Sequence, residues 1–252
     1  MPIPWTAKKQ LFVFFIVFAV IIIAVFLFLL SLGNPTCFDG RRNQGEEGID
    51  CGGPCELCVG EVKNLIIHWS KIFKLKNGNY EAAALIDNPN LFAGLPSLKY
   101  KFNIYDEKNV LIAIKPGETF INPDERFLIF ETNIEVGERV PKYAFVELES
   151  QTEWKRIEKE KPQIVVSRKQ FFNSEPFPKL ITEINNKSLF SVENISLAVV
   201  LYGKDQNAKA VSISKIDYIG GGSSKEIVFT WPEVFSEEPA SIEIFIRVSL
   251  ID

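Results

Sequence analysis

Between Leu11 and Leu32 the chain carries 22 residues of which only Ser31 is polar. No soluble fold of this size could cover such a segment on every face. As a helix rising about 1.5 Å per residue it extends roughly 33 Å, enough to cross a hydrocarbon core of about 30 Å. Each central Leu, Ile, Phe or Val favours insertion by about 0.3 to 0.6 kcal/mol, and no charge inside the run opposes it. Residues 11–32 are therefore expected to be a transmembrane helix behind a short tail, residues 1–10, whose Lys8 and Lys9 hold the N-terminus in the cytoplasm. Arg41 and Arg42 beyond the span make that bias modest. A cleaved signal peptide competes, with Ser31-Leu32-Gly33 as a poor cleavage site, but its apolar region would normally end after about 7 to 15 residues.

Downstream of the run stand 26 basic and 32 acidic residues, a net charge of −6. Such a surface gives no reason to expect nucleic-acid binding, which needs a basic face. Enough chain remains for two domains, which cluster near roughly 100 to 150 residues.

All four cysteines, Cys37, Cys51, Cys55 and Cys58, lie in one Gly-rich segment just beyond the expected membrane span. An even count in a stretch too poor in apolar residues to build a core reads as a small cross-linked knot, residues 33–60, with two disulfides. Three pairings are open. Cys55-x-x-Cys58 also has zinc-ligand spacing, against which stand the uneven spacing of the other thiols and an oxidising setting. A thioredoxin-like redox pair would need a βαβ pattern that is absent. Asp39, Asn43, Glu46 and Asp50 interleave with glycines and are candidate Ca²⁺ ligands, although their spacing is not that of an EF-hand loop. From Cys37 to Cys58 the segment resembles the Cys-x-Asp-Gly…Asp-Cys-Gly-Gly-x-Cys-x-x-Cys modules of exported prokaryotic proteins, which implies secretion rather than a particular chemistry.

Shifting the chain by about 98 residues lays Asn88-Pro-Asn-Leu91-Phe92 over Asn186-Lys-Ser-Leu189-Phe190. One residue further, Leu98 to Tyr105 lies over Ile195 to Tyr202, both alternating apolar residues at period 2 as half-buried strands do. Each copy continues with a polar turn (Asp106 to Asn109; Gly203 to Asn207), a short strand, a second turn (Asn122 to Glu125; Gly220 to Ser224) and a strand ending near Asn133 or Trp231. Further strands are expected at Val62 to Leu75, at Tyr80 to Ile86 behind the Asn77-Gly78 hairpin signal, and at Tyr143 to Glu149. The second copy supplies Ile164 to Phe172, Leu180 to Ile184 and Ser241 to Leu250. In the last of these, Ile242, Ile244, Ile246, Val248 and Leu250 share one face.

The expected fold is thus an all-β ectodomain of two tandem antiparallel immunoglobulin-like β-sandwiches, residues 61–150 and 162–252. They are joined by a charged connector, 151–161, that is either exposed or an edge strand protected by charge. Phe102-Asn103-Ile104-Tyr105-Asp106 resembles the signature of the FxLyD domain, an immunoglobulin-like sandwich of exported prokaryotic proteins related to the late-embryogenesis-abundant type. The second copy keeps it in part, as Val199-Val200-Leu201-Tyr202-Gly203. The resemblance implies fold and location and brings no catalytic residues.

Chemistry is sparse. His68 is the only histidine, in the apolar run Leu65 to Trp69, so it is the only candidate imidazole base. Gly220 to Lys225 lacks the spacing of a phosphate loop and reads as a hairpin turn, and Glu237-Glu238 before Pro239 is a weak acid/base pair. Trp154 in the connector, and Phe171, Phe172 and Phe177 in an unusually apolar loop, are candidate partner or inter-domain contacts. The expectation is a membrane-anchored, extracytoplasmic structural or interaction protein of the cell envelope, not an enzyme. Its partners are the bilayer through Leu11 to Leu32 and an envelope protein or polymer, with no cofactor. The alternative is a sensor whose cysteine-acidic segment takes up Ca²⁺ or Zn²⁺.

Overall fold

A computed structural model describes residues 5–31, 36–56, 58–75, 78–150 and 153–251. Leu32 to Pro35, Asn77 of the hairpin signal, and Gln151 and Thr152 at the head of the connector lie outside the described residues. The chain divides into two compact units, Met1–Cys58 and Val59–Asp252.

In the first unit, helix α1 runs Trp5–Ser31, six residues earlier than expected, because nothing in Trp5 to Gln10 breaks a helix. Its apolar side chains from Leu11 to Phe26 are exposed on all faces. By length and composition the stretch from Lys9 to Phe26 is apolar enough to cross a membrane, as either an anchor or a signal sequence would be. The cysteine segment after it is held by two disulfides, Cys37–Cys55 and Cys51–Cys58.

The second unit is built from two copies of one topology. The first copy comprises β1 (Ile66–Lys74), β2 (Tyr80–Asn88), β3 (Ala93–Asp106), β4 (Leu111–Ile121), β5 (Glu125–Ile134) and β6 (Pro141–Leu148). The second comprises β8 (Ile164–Phe172), β9 (Lys179–Asn186), β10 (Val192–Tyr202), β11 (Ala208–Ile219), β12 (Ser224–Thr230) and β13 (Ser241–Arg247). Strands one, two and five of each copy make one antiparallel sheet, β1-β2-β5 and β12-β9-β8; strands three, four and six make the other, β4-β3-β6 and β11-β10-β13. Between the copies, β7 (Lys155–Arg156) pairs with Ala93 and Gly94 of β3, so the charged connector does contribute an edge strand.

Each sandwich has its own core. Ala82, Ala84, Ile86, Phe127 and Ile129 meet Leu98, Tyr100, Phe102 and Ile104 in the first. Leu180, Ile184, Ile227 and Phe229 meet Ile195, Leu197, Val199 and Leu201 in the second, with Ile242, Ile244, Ile246 and Val248 packed alongside. A third core lies between the sandwiches, where Phe73, Ala83, Leu85 and Leu128 of sheet β1-β2-β5 meet Ala198, Val200, Val211 and Phe245 of sheet β11-β10-β13. The unit is therefore a stack of four sheets. Strand β10, expected to be half-buried, is covered on both faces from Leu197 to Leu201, and β2 likewise from Ala82 to Ile86. The middle sheets have no solvent side, so their strands carry apolar residues at consecutive positions.

Arg247 pins the stack at one end. Its guanidinium pairs with Glu125 at 3.0 Å, donates to Thr119 Oγ1 and to the Phe120 carbonyl, and lies between the rings of Phe120 and Phe127, 4.2 and 4.3 Å from their centroids. Both partners are buried, with side chains 8% and 9% exposed. Asn122 adds two bonds across the same seam, donating to the Val248 carbonyl and accepting from the Leu250 amide. Towards the other end Lys71 Nζ donates to the Ala208 carbonyl, and burial holds that ammonium below its ordinary pKa. Burial, with Glu243 beside it, pushes the Tyr202 hydroxyl up to about 12.

Candidate functional site

The cysteine segment is organised around carboxylates that accept backbone N–H groups. Asp50 accepts from Asp39 and Gly40, Asp39 accepts from Thr36, Arg41 and the Asn43 amide, and buried Glu46 accepts from Asn43 and Asp50. Hydrogen bonding, chiefly from the Asn43 side chain, holds the Asp39 carboxyl below its ordinary range. With few apolar residues available, the segment is held by these bonds and by its bridges. Among the described residues the group whose donor atoms could close on a metal is Cys37, Glu46 and Cys55, within 4.8 Å of one another. The two sulfurs of that group are bonded to each other, so it offers a thiolate site only after reduction.

The expected aromatic contacts divide. Phe171 belongs to the second core, where its ring meets Trp231 at 5.9 Å and Phe235 at 6.1 Å, and Trp154 packs against the first core. Phe172 and Phe177 remain exposed, Phe172 under the ammonium of Lys179. His68, at a bulge in β1, bonds Asp87 at 2.7 Å, and Arg126 stands 3.7 Å from the same carboxylate. Glu237 pairs with Lys204 beside a cleft of about 410 Å³, where Lys209 also pairs with Asp205. That cleft is neutralised from within.

Sequence reasoning missed the outer face of sheet β4-β3-β6. Pairing places Tyr105 opposite Tyr143, and Asn103 opposite Phe145 and Ile114, all on the side away from the core. The rings of Tyr105 and Phe145 meet edge to face at 5.8 Å, and Phe145 is 57% exposed. Lys101, Asn103 and Glu147 form a polar rim, with the Lys101 ammonium at 2.9 Å and the Asn103 amide at 3.0 Å from the Glu147 carboxylate. Those bonds hold the Glu147 carboxyl below its usual range, Lys101 contributing most. The signal was available as Tyr105 and as Tyr143-Ala-Phe145, aromatic at the positions that alternate away from the core. In the second copy the equivalent face, bearing Ala198, Val200 and Phe245, is the one covered by the first sandwich. No known protein-family model matches the chain, and none of the curated proteins matches it significantly.

Proposed function

We propose that this chain is a membrane-anchored, extracytoplasmic interaction protein of the cell envelope that does no chemistry of its own. Helix α1 serves as an uncleaved anchor with Lys8 and Lys9 on the cytoplasmic side, and the β body stands outside. The two disulfides support that side, because such bonds persist in oxidising compartments. One observation carries the interaction role: the Tyr105–Tyr143–Phe145 face is aromatic and rimmed by polar groups, and its counterpart in the second copy already serves as a docking surface.

Two measurements test the reading. Protease added to intact spheroplasts should digest the β body while leaving the N-terminal tail protected; the reverse pattern ends the topology. Full-length protein in nanodiscs should retain an envelope component that a Tyr105→Ser/Phe145→Ser variant, equally folded by circular dichroism, does not. Equal retention by both would remove this face from the proposal.

A further inference from the structure

The two copies share a second feature. In each, the loop joining its second and third strands presents a Leu-Phe pair to solvent: Leu91 and Phe92 are 65% and 52% exposed, Leu189 and Phe190 102% and 60%. The loops need no apolar apex for their own sake. Buried Asn88 donates to the carbonyls of Ala93 and Asn122 and accepts from the Asn90 amide, and buried Asn186 donates to Phe190, Ile219 and Gly220 and accepts from Ser188. Gly221 packs so closely that a Cβ there would stand 2.5 Å from the Leu189 carbonyl oxygen. These are braced loops that hold greasy side chains in water.

Both tips lie at the same end of the stack. The chain enters the body there: Lys63 exchanges two hydrogen bonds with Asn90, and Val59, Gly60 and Glu61 line a groove with Leu91 and Phe92. The connector leaves the first sandwich there, since the Ile157 amide donates to the Phe92 carbonyl, and it enters the second beside Ser188, which accepts from the Gln163 amide. The Arg247–Glu125 seam joins the two sandwiches at this end. At the opposite end the equivalent turns, Asp106 to Asn109 and Gly203 to Gln206, are wholly polar.

The entry end is also short-tethered. Along the backbone, 27 residues lie between Ser31 and Val59, a reach of about 100 Å when extended. The Cys37–Cys55 bridge, with 5.5 Å between its Cα atoms, cuts the longest covalent path to about 40 Å. Beside the tips, exposed Lys63 and Lys187 and the Arg156 guanidinium, 5.0 Å from the Phe92 ring, outnumber Glu61 of the same groove, a sign that suits anionic headgroups.

We infer that Leu91-Phe92 and Leu189-Phe190 are lipid contacts, seated shallowly in the headgroup region of a bilayer. This rests on the anchor reading above. Leu and Phe side chains at a rigid apex are the groups that partition into that boundary.

The test places a photo-crosslinking benzoylphenylalanine at Phe92 or Phe190 of the full chain in its native membrane, with Leu91 and Leu189 as second positions and Gln206, at the far end, as reference. Lipid-mass adducts at the tips at least tenfold above those at Gln206 are expected. Adducts no more frequent than at Gln206, or dominated by a second copy of the chain or by another protein, overturn the inference while leaving the anchor intact. Recovery of the chain in the soluble fraction overturns both.

Discussion

A few buried polar side chains hold this body in register. Arg247→Met would leave the Glu125 side chain, 9% exposed, without its cation and held only by the two hydrogen bonds from Asn122, and a loss of ~3 kcal/mol is expected from denaturant unfolding. Adding Glu125→Gln should recover most of it, since the cost is the orphaned charge rather than the missing bond. Asn88 and Asn186 each satisfy several backbone groups at the same loop, so Asn88→Ala and Asn186→Ala should each cost about 1–3 kcal/mol. Asp106 is set apart by its titration. It accepts from the amides of Val110 and Lys108 and pairs with Arg139, and these bonds, the Val110 amide foremost, hold its carboxyl below the ordinary range. A carboxyl so shifted stabilises the fold above its unfolded pKa of about 3.9, and the contribution disappears as pH falls through the folded value. Asp106→Asn should therefore flatten the acid limb of a melting-temperature profile between pH 5 and 2, about the range where a depressed carboxyl titrates. The second copy has Gly203 at this position and caps its turn with Asp205 instead, which accepts from Asn207 and Lys209. The departure from the signature thus has a local substitute two residues on.

At the scale of elements, period-2 alternation located the core-facing strands, and the duplicated Asn…Leu-Phe loop marked the repeat. What alternation could not convey was the third core. Alternation identifies one buried face, and the Ala82-Ala-Ala-Leu-Ile86 and Leu197-Ala-Val-Val-Leu201 runs have two. A continuous apolar run of that length is the signature of a strand covered on both sides, and it was legible had period 2 not been imposed on it. Disulfide pairing was not legible, because spacing alone does not say which Cα atoms meet. Nor was the fate of Trp154 and Phe171, whose burial depends on strands distant in sequence. The shared sheet interface carries its own prediction. Val200→Lys would drive an ammonium into the third core, and calorimetry should then resolve two transitions where the parent shows one.

At the scale of the whole molecule, the two sandwiches are joined through unlike faces. Sheet β1-β2-β5 of the first copy covers sheet β11-β10-β13 of the second, so the contact does not close on itself. The same step, repeated between molecules, would set the free β12-β9-β8 face of one chain onto the aromatic β4-β3-β6 face of the next. What interrupts it is charge: on the outer face of the last sheet Glu183, Asn185 and an Arg168–Glu226 pair stand among exposed Val165, Phe172 and Val228. The chain can be regarded as one link of a polymer whose trailing end has been made insoluble in its own socket. Replacing Arg168, Glu183 and Glu226 with leucine should release that restraint and produce concentration-dependent fibres visible by electron microscopy, which Tyr105→Ser/Phe145→Ser would abolish. On that account the three charged residues guard against runaway assembly, and on the proposed reading they keep the aromatic face open to a guest other than the protein's own kin.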